Sequence, residues 1–150
     1  MLSTISWPLL VWSGLVALVA STWLLMIFRT LNATRYLPRA YWSCALFATA
    51  SDSALVFAGL LRMVVMIAVI PIIYVAIFAY TGQAEAVMGL MVGAAHGLLA
   101  GLTLPLAARR CSGAKAPGLL GWNLGRATPL VLLLVHATYG TLLGYIYVNG

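Results

Sequence analysis

Residues 63–80 read MVVMIAVIPIIYVAIFAY, eighteen positions without a charge. At ~1.5 Å per residue a helix of this length covers about 27 Å, close to the ~30 Å of a bilayer's hydrocarbon core. Backbone polar groups in lipid must bond within their own segment or around a closed barrel. A barrel strand alternates polar and apolar side chains. This run is apolar on every side, so it reads as a membrane helix.

Outward from it, three further runs have the same character: 7–28, 86–107 and 129–148. Pro8 stands in the first turn of the first, where a missing N–H is tolerated. The whole chain of 150 residues is 64% hydrophobic and only 7% charged, against roughly 25% charged in soluble proteins. The expected fold is therefore all-α, a single domain of four transmembrane helices, with the lipid bilayer as its solvent.

Arg62 fixes where the second span begins. A span starting near Leu55 would carry it two turns into lipid at ~3 kcal/mol or more, so it is placed at the edge, snorkelling outward. The preceding stretch, Pro38 to Leu61, is apolar but studded with Ser, Thr and Asp52. It predicts a short helix after Pro38 carrying Tyr41, Trp42 and Phe47, and a break at Ser51, Asp52 and Ser53. Their side-chain oxygens can cap a new helix that continues into the second span. An interfacial position is expected for this segment, with a re-entrant dip as the competing arrangement.

The net charge of +6 suggests nucleic acid until the basic residues are located. Arg29, Arg35 and Arg39 form one cluster and Arg109, Arg110, Lys115 and Arg126 another, each between apolar runs, while residues 81–85 carry only Glu85. This is the pattern of membrane orientation, and no nucleic-acid partner is expected. The positive-inside rule puts both basic connections in the cytoplasm and both termini on the far side of a bacterial-type inner membrane. Nothing before the first run resembles a basic n-region, and no small-residue cleavage site follows it, so it reads as a retained span. Cys44 and Cys111 then face a reducing compartment, where thiols are expected. Their spacing offers no zinc site.

In the third span Gly89, Gly93, Gly97 and Gly101 recur every four residues, leaving a groove that another helix backbone can enter. The fourth span offers Gly140 and Gly144 beside Ala137. This seam either joins the two spans within one subunit or serves self-association or docking into a larger membrane complex. His96 and His136 both fall near mid-membrane, at about 20 and 15 Å from the basic edge. Ionisable groups at that depth face a bundle interior or a cavity. They are expected either as neutral imidazoles bonded to hydroxyls or carbonyls, with Tyr139, Thr103 or Thr141 as available partners, or as ligands of haem b, a quinone or a proton path. Asp52 could neutralise Arg62 or cap a helix, and Glu85 suits a helix first turn. Trp7, Tyr80, Tyr145 and Tyr147 at one set of helix ends, and Tyr36, Tyr41, Trp42 and Trp122 at the other, form an aromatic belt.

Near the C-terminus, Gly121, Trp122, Asn123, Leu124, Gly125 and Arg126, followed by His136, Ala137, Thr138, Tyr139 and Gly140 and then Leu143, Gly144 and Tyr145, resemble the C-terminal signature of small bacterial inner-membrane proteins of the YagU-like kind. The resemblance covers about a fifth of the chain and implies a bacterial inner membrane and no activity. No motif names a reaction. The leading expectation is a non-catalytic accessory subunit or homo-oligomer packed through the glycine seam. A small oligomeric channel or transporter lined by the histidines comes second, and a haem- or quinone-binding redox subunit third.

Overall fold

The computed structural model describes residues 6–82, 85–111 and 116–150. Its helices are α1 (Trp7–Thr30), α2 (Pro38–Phe47), α3 (Asp52–Thr81), α4 (Ala86–Arg109) and α5 (Thr128–Asn149), with a short 3-10 turn at Leu119–Leu124. Four of them, all but α2, are long and apolar enough to cross a membrane, and the short helix lies between the first two, as expected. Lys115 and Gly113 lie outside the described residues.

Successive long helices run antiparallel, so the end of α1, the start of α3, the end of α4 and the start of α5 share one end of the bundle. All the described basic residues except Arg62 gather at that end. At ~1.5 Å per residue α3 is about 45 Å long, well beyond the hydrocarbon thickness. Its first turns therefore extend past the expected edge at Met63, and α2 packs against them. The helix begins after Ser51, whose side chain makes no cap bond. The preceding helix stops at Ala48, which is left-handed at φ 55°, and the Ser43 hydroxyl donates to the carbonyl of Thr49 across that turn.

Within α3, residues Val65–Val69 form a π-turn, and Pro71 explains it. Proline lacks the N–H that an α-helix interior requires. The Ile70 N–H bonds to the carbonyl of Val65, five residues back. On the same count the carbonyl of Met66 falls to Pro71, which has nothing to donate. The Tyr139 hydroxyl reaches across from α5 and donates to that carbonyl. Tyr139 is fully buried, in a core with Ala17, Leu18, Met66, Tyr74, Phe78 and Leu143. Gly14 of α1 sits on the same turn, where an added Cβ would lie 2.7 Å from both the Ile67 oxygen and the Pro71 ring.

Helices α4 and α5 pack most closely. Gly89 meets Gly140, Gly93 meets the backbone of His136, and Gly97 meets Leu132. The register advances by four on one helix as it retreats by four on the other. A Cβ on Gly97 would stand 2.8 Å from the Leu132 oxygen, and one on Gly144 would stand 2.7 Å from the Glu85 oxygen. The seam is thus filled by the chain itself. Of the two expected uses of the seam, the one seen is the joining of the two spans within one chain, and a backbone surface in contact with α5 cannot also receive another helix.

A second core, built from Leu25, Tyr36, Leu104, Leu124, Val131, Leu132 and Val135, lies at the basic end. There the 31–37 connection is tied to the start of α5. The Thr34 and Thr128 hydroxyls bond at 2.8 Å, the Arg35 N–H donates to Leu124 at 2.7 Å, and Gly125 (φ 144°) lets the two backbones approach.

Candidate functional site

The two α4–α5 glycine contacts that flank His136 also decide where the histidines go. With Gly93 and Gly97 presenting no side chain, the His136 ring lies beside His96, its neighbour on α4; the ring centroids are 4.7 Å apart and tilted by 65°. His136 Nδ1 is 2.8 Å from the Leu132 carbonyl, and His96 Nδ1 is 3.2 Å from the Tyr74 hydroxyl. The partners are therefore a hydroxyl and a carbonyl, as expected in kind, but the hydroxyl is that of Tyr74 in place of Tyr139, Thr103 or Thr141. Tyr139 serves Met66; Thr103 and Thr141 return their hydroxyls to their own helices, at Ala100 and Ala137. Haem ligation by both imidazoles needs a porphyrin plane between them. Here the rings touch, and the seam holds their helices together.

Above the histidines a cavity of about 640 Å³ opens toward the basic end. It exists because α3 and α4 touch only sparingly, leaving a gap that α2 bridges. Its deep wall carries His96 and His136, and its sides are Leu25, Met66, Leu99, Leu104 and Val135. Arg62, Arg110, Tyr36, Tyr41 and Trp42 complete the lining. A pocket of this size, apolar with a few convergent polar groups, has the character of a small-molecule site.

Arg62 is half-buried and turned into this space, not out toward the headgroups as expected. The chain has two acids, and neither can reach it. Asp52 stands ten residues earlier on the same helix, about 15 Å away, and Glu85 begins α4 at the opposite end of the bundle. The expected Asp52–Arg62 pairing is thereby corrected: Asp52 is exposed in the first turn of α3. Burial pushes the Tyr36 phenol up to about 12 against the pull of the Arg62 guanidinium, with Tyr41 adding to the rise. Tyr36 is therefore a neutral donor in the lining at physiological pH.

Cys44 and Cys111 are joined as a disulfide, Cα to Cα 5.3 Å, where free thiols were expected. Spacing in sequence says nothing about the fold that brings α2 over the end of α4, and that contact decides the pairing. Both sulfurs' residues are buried. No described group of three or more His, Cys, Asp or Glu could hold a metal ion.

The sequence pointed to Arg62 and both histidines, to Tyr36 only as part of the aromatic belt, and not to Tyr74 or Gly14. The proline at position 71 was the available signal for Tyr139 and Gly14, since it leaves a carbonyl in need of a donor. Compared with protein-family models, with curated proteins and with solved structures, the chain matches none.

Proposed function

We propose that this polytopic membrane protein binds an amphipathic anion, a phosphate or carboxylate headgroup on an apolar tail, in the cavity beneath α2. The observation that carries this reading is Arg62, a half-buried cation facing an apolar cavity with no carboxylate of the chain in reach. A buried charge is costly unless paired and hydrogen-bonded. Arg110 at the mouth adds a second positive charge, Tyr36 a neutral donor, and the leucine walls a path for a tail. The basic flanks support an orientation with this end on the cytoplasmic side of a bacterial-type inner membrane. The accessory-subunit reading loses its seam, and the exposed side chains of α1 and α3 need only lipid to cover them.

The test is mass spectrometry of lipids retained after purification in mild detergent. Wild-type protein should carry an anionic amphiphile well above its bulk abundance, and Arg62→Gln should lower that retention roughly tenfold or more, the worth of a charge-assisted hydrogen bond. Excess inorganic phosphate should not displace it if the tail contributes. Retained lipid that mirrors the bulk and ignores Arg62→Gln would sink the proposal. A quinone in the extract, its absorbance bleached by borohydride and unchanged in Arg62→Gln, would instead favour the redox reading through His96 and Tyr74.

A further inference from the structure

We propose that the Cys44–Cys111 disulfide is a reversible redox clasp that fixes α2 over the cavity. The proposal concerns regulation of the same site and rests on the ligand-binding reading only for its consequence, not for its mechanics.

Helix α2 is the shortest helix of the cavity wall. It is ten residues long, too short to fold independently, and it supplies Pro38, Tyr41, Trp42, Ala45 and Leu46 to the lining. Its start is anchored through Thr34 and Arg35 to the α5 end, and its far end turns directly into α3. The side facing α4 has one covalent tie, Cys44 to Cys111 across 67 residues of sequence. Each cysteine adjoins the lining. Cys44 sits between Trp42 and Ala45, and Cys111 follows Arg110. Breaking that bond removes the covalent tie between α2 and α4 beside the gap where α3 and α4 touch only sparingly.

The location makes reversibility the relevant property. The two cysteines lie at the basic end, which the arginine distribution assigns to the reducing side of the membrane, where disulfides are transient and redox-sensing. There the resting pair is a dithiol. Oxidation by a small disulfide RSSR proceeds in two exchanges. One cysteine thiolate attacks RSSR, releasing RSH after proton uptake and leaving a mixed disulfide. The second cysteine thiolate then displaces the remaining RS group as RSH. The pair loses two protons and two electrons to RSSR, which becomes two RSH. Reduction by two RSH reverses both steps.

The experiment compares oxidised wild type, wild type reduced by a phosphine, and Cys44→Ser/Cys111→Ser, each in phosphatidylcholine nanodiscs. Amide hydrogen exchange over residues 38–47 should be about tenfold faster in the reduced and double-serine proteins, while α5 is unchanged. Affinity for a fluorescent phosphatidylglycerol should shift several-fold with redox state in the wild type and not in the double variant. In cells, maleimide-polymer labelling should find free thiols that disappear on treatment with diamide. Equal exchange in all three proteins would overturn the clasp, as would a pair that stays oxidised in unstressed cells. If exchange responds but no form binds phosphatidylglycerol, the clasp stands and the ligand reading fails.

Discussion

Gly93→Leu should leave no correctly paired α4–α5 hairpin. The space where a leucine side chain would begin is occupied by the His136 carbonyl and the Ala137 Cα. Those are backbone atoms with no rotamer to give way, so α5 must move as a whole. Overpacking a core against flexible side chains costs about 1–3 kcal/mol. Against a fixed helix backbone in lipid, where close packing and weak polar contacts hold helices together, we expect a loss above roughly 4 kcal/mol, in the range that single substitutions seldom reach. The control is Gly59→Leu on α3, where an added Cβ meets nothing within 4 Å. Thermal aggregation followed by size exclusion in mild detergent should show Gly93→Leu lost at temperatures that Gly59→Leu survives. Equal survival of the two would show that the seam does not hold the fold. The same substitution should also separate His96 from His136, because the glycines beside His136 are what bring the two rings together.

Tyr139→Phe should destabilise the protein by about 1–3 kcal/mol although it removes a single oxygen. The Met66 carbonyl has lost both backbone donors, one to the π-turn and one to Pro71, and Tyr139 is the group that bonds it. In the bilayer an orphaned carbonyl cannot turn to water. Pro71→Ala in the Tyr139→Phe background should recover part of the loss, since an alanine N–H restores a donor to α3. That pair of substitutions forms a cycle in which non-additivity is the signature. Melting temperatures that simply add, with no rescue, would mean that the hydroxyl does not stand in for the donor missing at Pro71.

The sequence alone determined what local chemistry can determine. Charge-free runs about as long as a hydrocarbon core is thick demanded helices, because hydrocarbon admits no other backbone arrangement for apolar runs. The bounds of α1, α4 and α5 fell within a few residues of the observed ones, whereas α3 is continuous from Asp52, well before the expected edge at Met63. The glycines at four-residue spacing announced a close helix contact for the same reason: the period puts them on one face of α4. The glycines of span four marked a partner surface, but not whether the contact lies within one chain or between two. Whether a bare helix face receives a sister helix or a second chain depends on loop length and on what else competes for it, and here α5 fills it in strict antiparallel register.

Only the tertiary structure decided the site. Arg62 was read as an edge residue because its depth along one helix is a local quantity. That it looks into a cavity depends on α3 and α4 standing apart with α2 laid across the gap. The disulfide follows from the same placement, which brings residues 67 positions apart within bonding reach. Side-chain direction, partner choice and enclosed space belong to contacts between helices, and no period along a single helix encodes them.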